Sequence, residues 1–520
     1  MSWALKRADI ILSLALAAVT LALAAFTTFP WCDELVLAGD PARWAVAGSF
    51  DGRVWPCIYN LLYPLALSGW FKVFGVSHLA TISLSTLAAF LASCLCLRVA
   101  RRRGLFGGLL PSLAFVVLFW CGHGLNWMVT DGRLDALTML FAVLFADALL
   151  PDPGRREGRR TVLMTAVWAF LLMLTSVYML PVLFVLGLLV LIADPLHDRA
   201  VIWRKGFAAT AAIVVGYALI AGFYFLQANL IRFCGFYLYF NTITGLKAEP
   251  MAIRLVKGYL FNREALALAF VVLAAMPFSR RSRPNGLVAA LGFTLAIPLV
   301  MTLGGRYEHY YSWAFYVPLS LLAVCVLGSC RFSRWLCLAL VLAWGGFAVC
   351  SQTELVRESG LARSHAVACD DFVRAHPEVF RPGHEIVVAE DVTGDGAFFY
   401  PVLRSGARPW FRGVETLTAP SDEEKFDAGL AMLVPDAEKR RRMLAAVAGL
   451  QSYMPTLPDD GFVVFPSAES RERVEPLLRE RGCELETIAE TPFALARMAR
   501  KSRLKPGQTA NGHASVRKGR

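Results

Sequence analysis

Charged residues are scarce in this 520-residue chain. They make up 18% of the sequence, whereas hydrophobic residues make up 57%. An average globular domain devotes about a quarter of its residues to charge. The apolar residues also occur in runs of roughly 20, which is the length of a membrane-spanning helix. The composition therefore excludes a soluble globular protein and indicates an integral membrane protein.

Signatures of metal and nucleic-acid binding are missing as well. No cysteine pair has histidine or cysteine neighbours at the spacing of a zinc site. The net charge of +12 resides in short basic clusters between apolar runs, such as 98–103 and 280–283, without interleaved aromatic residues. Clusters of this kind mark cytoplasmic loops rather than a nucleic-acid interface. We expect no zinc site and no nucleic-acid partner.

The first apolar run, 9–30, is not followed by the small residues of a signal-peptide cleavage site. Lys6 and Arg7 precede it, and Pro30-Trp31 ends it. A cleaved signal peptide ends in an Ala-x-Ala-like site. We therefore interpret the run as an uncleaved anchor whose N-terminus lies in the cytoplasm.

With every basic cluster placed inside, the sequence predicts about eleven transmembrane helices in an all-α membrane domain over residues 1–350. The predicted spans are 9–30, 78–98, 106–121, 133–150, 161–175, 178–193, 207–226, 264–279, 286–303, 313–329 and 335–350. Two long outer loops, 31–77 and 227–262, separate some of them. Within the first loop, the amphipathic run 58–71 predicts a helix lying on the outer membrane surface.

The composition changes after residue 350. Residues 385–390 and 461–465 are predicted to be buried strands, and 470–478 a helix after a serine cap. These elements predict a small α/β extracytoplasmic domain over 351–500, followed by a disordered basic tail, 501–520. Since disulfides form outside the cytoplasm, Cys369–Cys483 and Cys32–Cys57 are candidate pairs.

Three polar clusters fall at helix ends on the predicted outer side. They are Asp33-Glu34, Arg133 with Asp135, and Arg306-Tyr307-Glu308-His309. A carboxylate near hydrocarbon is costly and usually functional. A carboxylate can remove a proton from an attacking hydroxyl, and an arginine can stabilise a departing phosphate. The alternative is that these residues are interfacial anchors, with Arg133 and Asp135 forming an intrahelical brace.

The order of these features resembles the GT-C superfamily of membrane glycosyltransferases, which use polyprenyl-phosphate-linked sugars. The resemblance rests on the acidic pair after the first span, on Trp70-Phe71-Lys72-Val73-Phe74-Gly75-Val76-Ser77-His78-Leu79-Ala80, on Gly132-Arg133-Leu134-Asp135-Ala136-Leu137, and on Arg306-Tyr307 before Tyr316-Val317-Pro318. It covers most of residues 1–350. The similarity is closest to the branch containing protein O-mannosyltransferases and the lipid A aminoarabinose transferase.

The resemblance implies a role for each site residue. Asp33 would be the general base, Glu34 would orient the acceptor, Arg306 would bind the donor phosphate, and Tyr307 would lie near the lipid or sugar. Arg133, Asp135, Glu308 and His309 would shape the pocket. Several relatives have a lysine where this chain has Thr175-Ser176-Val177-Tyr178, so Lys247, Arg254 and Lys257 are further candidates for binding the donor phosphate. Loop 227–262, which carries them, is either a mobile cover or a solvated connector.

We therefore expect a multi-pass glycosyltransferase of the bacterial inner membrane with a periplasmic C-terminal domain. Its partners would be a polyprenyl-phosphate sugar (a hexosyl or pentosyl donor), membrane lipids, and a lipid, glycan or protein acceptor. No cofactor is required, although some members of the superfamily use a divalent cation, and this alternative stays open. A non-catalytic scaffold or sensor and a transporter are the alternative functions.

Overall fold

The structure is a computed structural model that combines a bundle of apolar helices with a five-stranded sheet. It describes residues 7–27, 38–39, 41–42, 44–46, 61–106, 108–130, 132–149, 158–176, 199–226, 252–253, 256, 263–279, 313–330, 332–389, 397–411, 427–428, 430–431, 434–447 and 459–500. The helices of the bundle are α1 (Ala8–Thr27), α2 (Leu62–Phe74), α3 (His78–Arg102), α4 (Leu109–Cys121), α5 (His123–Thr130), α6 (Asp135–Leu149), α7 (Arg159–Thr175), α8 (Arg199–Leu226), α9 (Arg263–Ala275), α10 (Trp313–Gly328) and α11 (Ser333–Ala375).

Several of these helices match the predicted spans to within a few residues, because each apolar run is bounded by charge, glycine or proline. Helix α6, for example, covers Asp135–Leu149 where 133–150 was predicted. Within the described residues, three helices are long and apolar enough to cross a membrane, or four if the bent pair α4–α5 is one span. The predicted spans 178–193 and 286–303 lie outside the described residues, so the total of eleven stays a prediction.

Small and polar residues hold the first helices of the bundle together. The indole nitrogen of Trp120 in α4 donates to the Ser13 hydroxyl in α1 over 3.0 Å. That hydroxyl donates in turn to Ser93 in α3, also over 3.0 Å. Hydrogen bonds between helices satisfy polar groups that hydrocarbon cannot solvate. The chain of three side chains therefore fixes α1, α3 and α4 against one another.

One end of the bundle is basic and held by ion pairs; we refer to it as the basic end. Arg101 at the end of α3 pairs with Asp9 at the start of α1, whose side chain is fully buried. Arg102 pairs with Asp147 near the end of α6. The buried ammonium group of Lys205 donates to the carbonyl of Leu149 over 3.3 Å, where a cation complements the helix C-terminus. These contacts connect α1, α3, α6 and α8 at the basic end.

The C-terminal region forms a mixed sheet, as the predicted α/β domain requires. The strands are β1 (Glu385–Val388), β2 (Arg408–Phe411), β3 (Asp460–Phe465), β4 (Cys483–Ala489) and β5 (Ala494–Arg500), in the order β2-β1-β3-β5-β4. Strand β1 is parallel to β2 and β3, whereas β5 is antiparallel to β3 and β4. Three further helices belong to this region: α12 (Phe399–Arg404), α13 (Ala437–Val447) and α14 (Ala468–Glu480). The predicted strands 385–390 and 461–465 correspond to β1 and β3.

Helices cover both faces of the sheet. Helix α14 begins after Ser467, whose hydroxyl accepts from the Ser470 amide over 3.0 Å, so the predicted serine cap is Ser467. Residues of α14 pack on one face, and the end of α11 packs with α12 on the other. Cys483 belongs to the first cluster and Cys369 to the second, and no disulfide joins them. The expected Cys369–Cys483 disulfide is therefore wrong, because the sheet lies between the two side chains.

Helix α11 runs without interruption from the bundle into the sheet region. Its 43 residues, Ser333–Ala375, pass through the predicted domain boundary at residue 350. At 1.5 Å per residue the helix is about 64 Å long, roughly twice the hydrocarbon thickness of a bilayer. The change in composition at 350 therefore falls inside a helix. The division into domains at that residue stays a prediction.

Candidate functional site

Arg133 and Asp135 lie at the end of the bundle opposite the basic end, in the short segment between α5 and α6. Gly132 has a φ of 59°, a left-handed conformation that glycine adopts without steric cost. Its amide donates to the Val129 carbonyl, and the Arg133 amide donates to the Met128 carbonyl, each over 3.2 Å. This hydrogen-bond pattern is a Schellman motif, which ends α5 and turns the chain into α6.

The two side chains form a buried ion pair. The exposed fraction is 6% for Arg133 and 1% for Asp135, and Arg133 Nε donates to Asp135 Oδ2 over 2.9 Å. Breaking a buried pair on one side leaves an uncompensated charge, so both partners are strongly constrained. The guanidinium is thus directed to Asp135. This geometry suits a residue that shapes the pocket more than one that binds the donor phosphate.

Other elements converge on this segment. The hydroxyl of Tyr63 in α2 donates to the Gly132 carbonyl, and Ser85 in α3 donates to the Arg133 carbonyl over 3.1 Å. Sequence analysis identified neither side chain, because a tyrosine or serine in an apolar helix carries no signal of its own. The predicted surface helix at 58–71 is present as α2, Leu62–Phe74; residues 58–60 lie outside the described part of the chain. Helix α2 packs against α3 and supports the Arg133–Asp135 segment.

The sheet region reaches the same end of the bundle. Phe399, Tyr400 and Leu403 of α12 belong to a buried cluster with residues of α2 and α3. The Tyr400 hydroxyl lies 2.8 Å from the Thr81 hydroxyl, near the start of α3. Leu134, between Arg133 and Asp135, is in the same cluster. The C-terminal region therefore packs next to the candidate site.

A second polar cluster surrounds the 60° bend between α4 and α5, which lies in a predicted connector. At the bend, a Cβ on Gly122 would come within 2.5 Å of the Tyr316 ring, so only glycine allows this approach. Glu264 Oε2 accepts from the His123 amide over 2.9 Å, which caps α5. Among the described residues, Glu264 Oε1 and Asn126 Oδ1 are buried without a hydrogen-bond partner. Local sequence patterns do not identify Glu264, because its contact with α5 spans 141 positions.

The other predicted site residues lie outside the described residues, and their roles stay predictions. They are Asp33, Glu34, Lys247, Arg254, Lys257, Arg306, Tyr307, Glu308 and His309. Within the described part of the chain, no group of three or more His, Cys, Asp or Glu side chains could hold a metal ion. The alternative of a divalent cation stays open, because Asp33, Glu34 and His309 are not among those residues.

Comparison with known proteins gives a fold but no sequence relative. No protein-family model and no curated protein sequence matches the chain. The crystal structure of ArnT from Cupriavidus metallidurans bound to undecaprenyl phosphate has a TM-score of 0.62 at 12% identity, covering 94% of this chain and 98% of that protein. The apo structure of ArnT has the same TM-score at 11% identity, covering 94% of this chain and 97% of that protein. The chain therefore has an ArnT-like fold, which is the fold that the resemblance to GT-C enzymes implies.

Proposed function

We propose that the chain is an integral membrane glycosyltransferase that moves a sugar from a polyprenyl-phosphate donor to an envelope acceptor. The supporting observation is the ArnT-like fold over 94% of the chain, since one of the two ArnT structures holds undecaprenyl phosphate. A fold alone does not establish a function. The proposal therefore also depends on the polar residues that the sequence places at one end of the bundle.

The charge distribution of the helix ends supports a site on the outer face of the inner membrane. The basic end carries Arg101, Arg102 and Lys205, and a surplus of Lys and Arg marks the cytoplasmic side. Helices α1, α3 and α6 lead from this end to the opposite one, where the Arg133–Asp135 pair and the sheet region lie. On this reasoning, the sheet region is periplasmic and the site opens toward the periplasm.

The proposed reaction is an inverting transfer. The acceptor oxygen forms a bond to the anomeric carbon while the bond between that carbon and the phosphate oxygen breaks. Asp33 takes the acceptor proton, Glu34 orients the acceptor, and polyprenyl phosphate leaves with the bonding electrons. Arg306 stabilises the departing phosphate, with Lys247, Arg254 and Lys257 as further candidates; one well-placed donor contributes about 3 kcal/mol in comparable sites.

The described residues fit this scheme as its supporting framework. Asp33 follows the end of α1 by six positions, and Arg306 precedes the start of α10 by seven. Both helix ends lie at the end of the bundle opposite the basic end. The buried Arg133–Asp135 pair fixes the wall between α5 and α6. Tyr307, Glu308 and His309 belong to the same connector as Arg306 and are proposed to contact the lipid, the sugar or the pocket wall.

The test is release of polyprenyl phosphate by purified protein given polyprenyl-phosphate sugars and native membrane lipids. Wild type is compared with Asp33→Asn and with the matched control Asp147→Asn, which lies at the basic end and pairs with Arg102. We expect release by wild type and by Asp147→Asn, and a loss of at least 100-fold in Asp33→Asn, the range of general-base catalysis. The active donor identifies the sugar.

Three results would overturn the proposal in different ways. Full activity in Asp33→Asn would remove the proposed base while leaving the enzyme class intact. No release by folded wild type with any donor would favour the non-catalytic scaffold or sensor. Movement of the intact donor across a vesicle membrane without release would instead favour the transporter.

A further inference from the structure

A groove opens between α7 and α8 at the basic end of the bundle. It has a volume of about 770 Å³, within the range of sites that hold a drug-sized molecule. Its lining includes Arg159 and Leu163 of α7 and Trp203, Arg204 and Phe207 of α8. The groove is remote from the Arg133–Asp135 pair, so the proposed transfer reaction does not explain it.

The floor of the groove is apolar and unusually exposed. The exposed fraction is 63% for Leu163, 67% for Trp203 and 79% for Phe207. Leucine and phenylalanine side chains of this kind are covered by lipid tails in a membrane protein, while tryptophan favours the headgroup level. The groove therefore extends from the membrane–water interface into the hydrocarbon region.

Two arginines stand at the interfacial end of the groove. Arg159 begins α7, and Arg204 lies in the first turns of α8. Neither guanidinium has an ion-pair partner among the described residues, and both side chains are exposed. Lys205, the next residue, is buried and donates to the Leu149 carbonyl, so Arg204 is the cation that α8 presents to the groove. Paired cations above an apolar floor complement an anionic headgroup and its acyl chains.

We propose that this groove is a binding site for an anionic phospholipid from the leaflet at the basic end. Basic pockets between transmembrane helices on the cytoplasmic side bind anionic headgroups. A zwitterionic lipid brings its own cation and gains less from two arginines that have no ion-pair partner among the described residues. The phosphate would lie between Arg159 and Arg204, and an acyl chain would lie along Leu163 and Phe207. The lipid would bridge α7 and α8 without taking part in transfer.

The test is native mass spectrometry of the full chain in detergent, titrated with phosphatidylglycerol or with phosphatidylcholine of the same acyl chains. We expect wild type to bind one phosphatidylglycerol in preference to phosphatidylcholine. Each basic side chain contributes about fivefold in affinity, so the double variant Arg159→Gln/Arg204→Gln should lose about 25-fold. Arg334→Gln is the matched control, because Arg334 is an exposed arginine near the start of α11, outside the groove.

A further variant distinguishes binding in the groove from simple electrostatic attraction to the two arginines. Phe207→Ser shortens the apolar floor and keeps both arginines, so it should weaken binding of both lipids while the preference for phosphatidylglycerol remains. Three results would overturn the proposal: no preference in wild type, an unchanged preference in the double variant, or an equal loss in Arg334→Gln. All three variants change exposed side chains, and unchanged thermal unfolding would confirm that they fold.

Discussion

Replacing Arg133 by leucine leaves the buried Asp135 carboxylate without the guanidinium that donates to it over 2.9 Å. At this distance and an effective dielectric constant of ~20, the attraction between unit charges is about 6 kcal/mol. Desolvation costs several kcal/mol for each ion, so the net contribution of the intact pair is small. After Arg133→Leu, the Asp135 carboxylate still bears its desolvation cost but no longer has the attraction to Arg133. We therefore expect Arg133→Leu to destabilise the fold by about 3–5 kcal/mol, and Asp135→Leu to do the same.

The double variant Arg133→Leu/Asp135→Leu should cost far less than the sum of the single changes, because it removes both charges together. Unfolding by sodium dodecyl sulfate in mixed micelles would measure the four free energies of this double-mutant cycle. The half-exposed pair Arg102–Asp147 is the matched control, and Asp147→Leu should cost less than about 1 kcal/mol. Additive single effects at Arg133 and Asp135 would refute the reasoning. If the pair also shapes the pocket, the double variant should recover stability but not sugar transfer. If the pair is only a structural brace, the double variant should recover both.

Two further predictions concern a turn and a surface ion pair. Gly132→Ala should destabilise the fold by about 1–2 kcal/mol, because φ is 59° there. The control Gly346→Ala lies in helix α11, where an added Cβ would meet open space, and it should not destabilise the fold. The same micelle assay compares the two variants. Arg471 and Arg479 donate to Glu475 over 2.9 and 2.7 Å and hold its pKa below the ordinary value of 4.5. Because the pKa of Glu475 is lower in the folded state, its ionised carboxylate stabilises the fold at pH values above 4.5. This stabilisation is lost as the pH falls through the folded-state pKa. Thermal unfolding of wild type and Glu475→Gln should therefore differ at pH 7 and converge toward pH 3; a constant difference would contradict this.

Local sequence patterns predicted the helices well, because the length of an apolar run and the charges that flank it are both properties of one short segment. The start of α6 at Asp135 follows from an apolar run opened by a charged pair. Helix α5 was missed, since His123 and Asn126 interrupt the hydropathy. Its position depends on the Glu264 cap and on the fit of Gly122 against Tyr316, contacts with residues more than 100 positions away.

Two features of the C-terminal region could not be predicted from local sequence: the faces of the sheet on which the two cysteines lie, and the continuation of α11 past residue 350. The predicted Cys369–Cys483 disulfide came from compartment alone, but pairing also requires both side chains on one face of the sheet. The fall in hydropathy after residue 350 marks a change of surroundings, yet α11 continues because the backbone groups of a helix pair with one another in hydrocarbon and in water alike. The candidate site was predicted in part: Arg133 and Asp135 were identified, whereas Tyr63, Ser85 and Tyr400 are recognisable only once the fold brings them together.

Within the described part of the chain, the sheet region has two attachments to the bundle, and they differ in mechanical character. One is α11 itself, a rod of about 64 Å in which a tilt of about 10° at the membrane end displaces the far end by about 11 Å. The other is the packing of α12 on α2 and α3, which includes the Thr81–Tyr400 contact. A swing of the sheet region away from the bundle must therefore separate α12 first, with α11 as the pivot. If the protein has the proposed function, the direction in which an acceptor approaches the site would then be set by the tilt of this helix.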